Sequence, residues 1–171
     1  MTSIVRATLK DIELLTKIGK TSFLEAHGRS ASEEDINEYV NKNFTKKAFE
    51  DALKDANNIF YIIYFNKTAV GYSKIIYNNQ HPNIPIKNIT KLERLYLLEE
   101  FHSMKLGLEL FNFNLIKSIK HKQAGMWLFV WTENHKAIQF YKKAGFKIVG
   151  HHDFQISATH SNPNHQMLLI F

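Results

Sequence analysis

The chain has 171 residues, of which 44% are hydrophobic and 22% charged, a composition typical of one globular domain spanning residues 1–171. It contains no cysteine, which excludes disulfides, thiolate metal sites and a cysteine acyl-enzyme. No apolar run approaches the roughly 18 to 20 residues that cross a bilayer, and Met1–Arg6 lacks the features of a secretory signal. We therefore expect a soluble, cytoplasmic protein.

The net charge is +6 and the pI is near 9.4, values compatible with binding to nucleic acid, membrane headgroups or a polyanionic small molecule. The lysines are spread along the chain instead of forming a basic tail. This distribution is typical of solvated helix faces, so we do not expect nucleic acid or a membrane as the partner. The sequence does not determine the oligomeric state, and a homodimer is compatible with it.

The N-terminal third predicts one strand followed by three helices. Residues 4–7 are the strand, and Thr8–Asp11 has the spacing of a capping box that begins a helix. Ser32–Asp35 is a second box of this kind, and Thr45 is the predicted N-cap of a third helix.

The middle of the chain predicts an antiparallel hairpin and then a strand. Residues 59–65 and 68–77 are rich in aromatic and β-branched side chains and flank a short polar turn. Residues 78–88 contain two prolines and form a loop, and residues 89–97 are the next strand.

A long helix from Leu106 to about Lys122 precedes a strand that Gly125 opens. Two last strands, 147–155 and 165–171, flank a loop over 157–164. The apolar stripe of the long helix is predicted from Leu106, Leu110, Phe113, Leu115, Ile116 and Ile119. Strand, helix and strand at this spacing predict a parallel pair within a sheet otherwise made of hairpins, an α/β (α+β) fold.

The segment from Asn134 to Phe146 carries one phenol, Tyr141, near the end of a short helix. Asn134 is a good N-cap, and Gly145 is placed as a C-cap glycine. Upstream, residues 126–131 are apolar throughout, which is typical of a strand covered on both faces. The unit predicts a strand, a loop and a capped helix.

This segment resembles the acetyl-CoA-binding core of the GCN5-related N-acetyltransferases (GNAT), whose members often carry Asn-x-x-Ala-x-x-x-Tyr-x-x-x-Gly-Phe here. Every named position of that pattern is present in this chain. The resemblance implies one mostly antiparallel mixed sheet with helices on both faces and a central parallel strand pair splayed at the acetyl-CoA site. The alternative is that Phe140, Tyr141 and Phe146 only pack a helix onto a sheet.

The loop before the long helix resembles the family's phosphate-binding loop, but only in part. His102–Gly107 stands where the family has Gln or Arg, two variable residues, Gly, one residue, then Gly or Ala, and only the last glycine is kept. Backbone N–H groups and the helix N-terminus bind the pyrophosphate in such a loop. Lys105 replaces a glycine, which is tolerated if the position does not require positive φ. Its ammonium would help to neutralise phosphate.

The strand before this loop resembles the family's central strand, which offers backbone groups to the pantetheine arm of the cofactor. Together with Asn134–Phe146 it implies the following acetyl-CoA-binding residues: Leu95, Tyr96, Leu97, His102, Ser103, Lys105, Leu106, Gly107, Leu108, Asn134, Ala137, Phe140 and Lys143.

Within the family, the chain is most similar to the PaiA-type polyamine N-acetyltransferases of bacteria. The residues that carry this similarity are Glu93–Leu97, Trp127–Trp131 and Ala137–Lys143. They lie mainly in the half of the protein that binds the cofactor. Spermidine or spermine is therefore the expected acceptor, without direct support from residues of the acceptor site.

Acetyl transfer to an amine needs a neutral amine, a stabilised oxyanion and a proton for the leaving thiolate. Tyr141 is predicted as the general acid, and Glu93 as the general base acting directly or through a water. The alternative for Glu93 is an ion pair with a lysine. Glu25, His27 and Glu93 are the candidates for acceptor binding, and the acidic residues from Glu33 to Glu38 are weaker ones.

Three other functions remain open from the sequence. In the first, the protein is an acetyltransferase whose acceptor is a protein or peptide amine instead of a polyamine, because the fold serves many acceptors. The protein binds CoA as a regulator without turnover, or it binds nucleic acid through its basic surface. The nine histidines show no metal-ligand spacing, so no metal is expected.

Overall fold

A computed structural model describes all 171 residues and contains one seven-stranded sheet with strand order β1-β2-β3-β4-β5-β7-β6. All neighbouring strands are antiparallel except β4 and β5, which confirms the predicted mixed sheet. The strands are β1 (Thr2–Arg6), β2 (Asn58–Phe65), β3 (Thr68–Ile76), β4 (Ile89–Leu97), β5 (Gly125–Trp131), β6 (Lys147–Gln155) and β7 (Ser161–Ile170). The helices are α1 (Ile12–His27), α2 (Glu33–Asn43), α3 (Lys46–Lys54), α4 (Leu106–Lys120) and α5 (His135–Lys143), with 3-10 turns at Leu9–Asp11 and Glu99–Met104.

The predicted capping residues begin the first three helical segments. Thr8 and Asp11 form a complete capping box at the 3-10 turn that leads into α1. The Ser32 hydroxyl accepts from the Asp35 N–H at 3.2 Å, and the Thr45 hydroxyl accepts from the Ala48 N–H at 3.1 Å. Each cap satisfies a backbone donor that the first helical turn leaves free.

Two apolar cores lie on opposite faces of the sheet, and β2 shows how the strands serve both. Ile59, Tyr61 and Ile63 belong to the core under α4 and α5, whereas Phe60 and Ile62 belong to the core under α1, α2 and α3. Successive side chains of a strand point to opposite faces. A strand covered on both faces is therefore apolar throughout, as β2 is.

The buried face of α4 differs from the predicted stripe. Ile116 and Ile119 are 52% and 51% exposed, whereas Asn114 and Ser118 are buried beside Leu110 and Phe111. Asn114 Nδ2 donates to Ser73 Oγ of β3 at 2.9 Å and to the Leu110 carbonyl at 2.8 Å. Because an inward polar residue with buried partners breaks the apolar period, the prediction for Ile116 and Ile119 was wrong.

The last strand begins earlier than predicted, at Ser161 instead of His165, and it includes Pro163. Pro163 pairs with Asp153 of β6, and its carbonyl accepts from the Thr132 N–H, just beyond β5, at 3.0 Å. The N–H and C=O of a strand residue point to the same side. The missing N–H of the proline therefore faces the chain beyond the end of β5, and the ladder to β6 remains complete.

None of the helices combines the length and the hydropathy that crossing a bilayer requires.

Candidate active site

The site begins where the two parallel strands separate. β4 and β5 pair only through their first three residues, Ile89–Lys91 with Gly125–Trp127. Beyond these pairs, β4 continues along β3 and β5 along β7. A register shift places Glu93 as an extra residue of β4 opposite β3, and a bulge of this kind bends its strand. The facing edges of β4 and β5 are therefore open.

A cavity of about 340 Å³ occupies this gap. Its wall includes Leu92 and Val130 from the core under α4 and α5, and Phe23 and Phe44 from the core under α1 to α3. Because residues of both cores line one cavity, it connects the two faces of the sheet. Two molecules can therefore approach each other through the gap from opposite sides.

Tyr141 is held on the cavity wall by the caps of α5. The Asn134 side chain accepts from the Ala137 N–H at 3.2 Å. At the other end, Gly145 has φ +101°, its N–H donates to the Lys142 carbonyl at 3.0 Å, and the Phe146 N–H donates to the Tyr141 carbonyl at 3.0 Å. These two bonds are a Schellman motif, which confirms both predicted caps.

The Tyr141 phenol is free to act on a molecule in the cavity. Neither a side chain nor a backbone group bonds its hydroxyl, and burial raises the pKa of Tyr141 above its ordinary value. The Phe140 and Phe146 rings lie 5.3 and 5.5 Å from the Tyr141 ring, edge to face. The hydroxyl is therefore protonated at neutral pH and available as a donor.

Glu93 lies on the cavity wall between cations. Its carboxylate is 2.5 Å from Lys74 Nζ and 3.8 Å from Lys91 Nζ. Burial alone would raise the pKa of Glu93, but Lys74, Lys91 and Arg94 together lower it below its ordinary value. The carboxylate is thus ionised at neutral pH, and the lysine ion pair expected as an alternative is present.

Two further groups face the other half of the cavity. His27 lies edge-on to the Tyr96 ring at 6.1 Å, and burial lowers the pKa of His27 to about 4, so the imidazole is neutral. The Arg94 guanidinium lies 4.7 Å from the Phe44 ring. Sequence reasoning missed Arg94 as a site residue, because Lys91 and Glu93 of the same strand are also charged and nothing in the sequence sets Arg94 apart.

The loop before α4 requires a left-handed residue where the chain has lysine. Lys105 has φ +60° and ψ 10°, so the position requires positive φ and the condition under which lysine would be tolerated without strain is not met. Gly107 lies against β4, where an added Cβ would be 3.2 Å from Leu97 Cδ1. His102 Nε2 lies 3.1 Å from the Leu97 carbonyl, which joins the loop to the end of β4.

The structure brings most of the predicted site residues together around the cavity. Those on its wall are His27, Glu93, Leu95, Tyr96, Leu97, His102, Gly107, Asn134, Ala137, Phe140 and Tyr141. Ser103, Lys105, Leu106, Leu108 and Lys143 are not on the wall. The carboxylate of Glu25 accepts from the Glu99 N–H at 2.9 Å, and Glu25 is also not on the wall.

These elements fit the shape of a CoA thioester. The open edge of β4 supplies unpaired backbone groups for the pantetheine arm, because Leu98 N–H donates to Val70 of β3 and the Leu97 N–H points the other way. The start of α4 supplies backbone N–H groups for phosphates, and the Lys105 ammonium lies at the same end of that helix. Acetyl-CoA held by these groups could have its thioester in the gap.

The family model for the acetyltransferase (GNAT) family matches residues 21–146, more than half of the chain. An uncharacterized N-acetyltransferase in the pepI 3' region of Lactobacillus delbrueckii subsp. lactis is 26% identical over 151 residues, covering 88% of this chain and 87% of the relative. The spermidine N(1)-acetyltransferase of Thermoplasma acidophilum is also 26% identical over 151 residues, covering 84% and 86%.

The crystal structure of the PaiA N-acetyltransferase from Thermoplasma acidophilum in complex with coenzyme A has the same fold. Its TM-score is 0.79 over 100% of this chain and 99% of that chain, at 20% identity. The gap between β4 and β5, the loop before α4 and the match to the family model all indicate the same family. The chain belongs to the GNAT family and is an acetyl-CoA-dependent N-acetyltransferase.

Proposed function

We propose that this protein transfers the acetyl group of acetyl-CoA directly to a primary amine, with Tyr141 as the general acid. The observation that carries the proposal is the cavity through the sheet, which has an unbonded phenol on its wall. Because the chain has no cysteine, an acyl-cysteine intermediate is excluded. The amine nitrogen attacks the thioester carbonyl, the C–S bond breaks, and Tyr141 protonates the departing sulfur.

The raised pKa of Tyr141 is compatible with this role. A free thiol has a pKa of about 8.5 and a free phenol about 10. In an apolar cavity both anions lose hydration, so both pKa values rise and the phenol remains a donor to the developing thiolate. The Leu97 N–H, which points into the gap, is the proposed donor to the oxyanion.

Glu93 is the proposed route for the amine proton. An alkylammonium group with a pKa of about 10 is mostly protonated at neutral pH and must lose a proton before attack. Glu93 is the one carboxylate on the cavity wall, and it is ionised. Because Lys74 holds it, its basicity is low, and a water between Glu93 and the amine would carry the proton to solvent.

A polyamine such as spermidine is the acceptor that the comparisons support. One relative at 26% identity is a spermidine acetyltransferase. The half of the cavity beside α1 and α2 carries aromatic side chains, among them Phe23, Tyr39 and Phe154, whose faces attract alkylammonium groups. A protein or peptide amine is the second candidate, because its oxygen atoms would meet the Arg94 guanidinium on the same wall.

The test of the mechanism is the Tyr141→Phe variant. We expect kcat to fall by about 10²- to 10⁴-fold, the usual contribution of a general acid, while the Kd for CoA changes little. CoA release and product mass report turnover, and calorimetry reports CoA binding. Tyr64→Phe makes the same change away from the cavity and should leave turnover unchanged. Unchanged kcat in Tyr141→Phe would remove Tyr141 from the mechanism.

A panel of polyamines, amino acids and short peptides tests the activity itself. Acetylated product with acetyl-CoA supports an enzyme. CoA binding without turnover on any amine would instead indicate a regulator, and DNA binding that falls steeply with salt would favour a nucleic-acid-binding protein.

A further inference from the structure

Arg94 is a charged group on the cavity wall that the proposed mechanism does not use. It follows the bulge of β4, pairs with Lys74 of β3, and its guanidinium is enclosed by protein while the residue keeps partial exposure toward the cavity. The Phe44 and Phe49 rings lie 4.7 and 5.6 Å from it. The guanidinium therefore packs against two aromatic rings.

Most of the hydrogen-bonding capacity of Arg94 is unused. A guanidinium has five N–H donors, and here one nitrogen donates to the Tyr72 hydroxyl at 3.4 Å. The remaining donors have no protein acceptor. These free donors open onto the cavity, where the oxygen atoms of a bound ligand can accept from them.

The charges around Arg94 are also unbalanced. Glu93 is the one carboxylate on the wall, and Lys74 holds it at 2.5 Å with Lys91 at 3.8 Å. Three cations therefore share one carboxylate. Because an enclosed cation is stable only with a nearby anion or hydrogen-bond acceptors, this site favours a ligand that brings a negative charge.

Arg94 faces the half of the cavity opposite α4. Arg94 and Tyr96 are two residues apart in β4 beyond the bulge and point to the same face, and Tyr96 packs in the core under α1 to α3. Leu95 and Leu97 point to the other face, toward α4. The guanidinium thus belongs to the side from which the acceptor would enter.

We propose that Arg94 binds a carboxylate of the acceptor, so that the preferred acceptor is a primary amine that also carries a carboxylate, such as an amino acid or a peptide end. A carboxylate matches the fork of a guanidinium with two parallel hydrogen bonds. A polyamine offers no acceptor to Arg94 and adds positive charge to a wall whose one carboxylate is already paired. This inference rests on the proposed acetyl transfer and names its substrate class, and it favours an amino acid or a peptide end over the polyamine that one relative suggests.

The test compares amines that carry a carboxylate with amines that lack one. Amino acids and their carboxamides are assayed with acetyl-CoA, beside spermidine, using the wild-type protein and the Arg94→Gln and Arg94→Lys variants. In the wild type, kcat/KM for the best amino acid should exceed that for its carboxamide by about 30-fold or more. Arg94→Gln should reduce this ratio to about threefold or less, mainly through acceptor KM, with Arg94→Lys between them. The Kd for CoA should stay within about twofold.

Each result decides the inference. Equal use of the acid and its carboxamide, or a higher kcat/KM for spermidine than for every amino acid, would overturn the carboxylate site and leave acetyl transfer intact. A preference for the acid that persists in Arg94→Gln would assign it to another residue and also overturn the inference. If Arg94→Gln does not fold, the acid-to-carboxamide ratios of the wild type and of Arg94→Lys still decide it. Absence of product with every amine would refute the proposed function itself.

Discussion

Substitutions of Lys105 test two effects, the strain of its left-handed backbone and the charge of its ammonium. Lys105 has φ +60°, a left-handed conformation that costs a non-glycine residue about 1 to 2 kcal/mol. Glycine removes that cost but gives the unfolded chain more freedom, worth about 0.5 to 1 kcal/mol. We expect Lys105→Gly to raise the free energy of unfolding by about 0.5 to 1 kcal/mol, or about 1 to 4 °C in Tm for a chain of this size.

The affinity for CoA should follow the charge instead of the backbone. Lys105→Asn tolerates the left-handed conformation and removes the ammonium, whereas Lys105→Ala removes the ammonium and keeps the strain. All three variants should weaken CoA binding by a similar factor of about 2 to 5 at low salt, and less at high salt. Thermal denaturation without ligand measures the first effect, and calorimetry with CoA at two salt concentrations measures the second.

Two results would refute this reasoning. If Lys105→Gly is no more stable than Lys105→Ala, the loop relaxes around lysine and stores no strain. If CoA affinity is the same in all three variants and the wild type, the ammonium does not reach the phosphates.

Two other changes test the surroundings of the cavity. Gly145→Ala should lower the free energy of unfolding by about 1 to 2 kcal/mol and reduce kcat, because Gly145 has φ +101° in the turn that holds Tyr141 and an added Cβ would lie 3.2 Å from Leu169 Cδ1. Urea unfolding measures the loss, and unchanged stability and kcat would contradict it. Burial lowers the pKa of His27 to about 4, so His27 binds a proton more weakly in the folded protein than in the unfolded chain. Its contribution to the free energy of unfolding is therefore full at neutral pH and is lost as the pH falls from about 6.5 toward 4. His27→Gln should remove about 2 kcal/mol of the stability lost between pH 7 and pH 5. His135→Gln is the exposed control, and an equal loss in the wild type and His27→Gln would contradict this prediction.

The local signals of the sequence predicted the ends of helices well. Asn134 and Gly145 act through bonds to residues within a few positions, so their roles follow from neighbouring letters alone. The caps at Ser32 and Thr45 were predicted for the same reason, whereas the start of β4 was predicted from the proline-containing loop before it. Capping is a short-range interaction and needs no knowledge of the rest of the fold.

Features that depend on distant partners could not be read in this way. Asn114 faces inward only because Ser73, on another strand, supplies its hydrogen bond. The positive φ of Lys105 arises from a sharp turn between a 3-10 segment and α4, although lysine and not glycine occupies that position. Arg94 stands out as a site residue only once Phe44 and the ion pair of Glu93 are placed around it.

The short contact between β4 and β5 has a mechanical consequence. The sheet consists of two antiparallel blocks, β1 to β4 and β5 to β7, and three residue pairs form the ladder between them. Hydrogen-bonded blocks of this kind can unfold separately, so the short ladder between β4 and β5 is a natural boundary between two cooperative unfolding units. A pantetheine arm bonded to the free edge of β4, with its thiol end beside α5, would span that boundary. Bound acetyl-CoA would then bridge the two blocks of the sheet, and the protein would be most rigid when it holds both reactants.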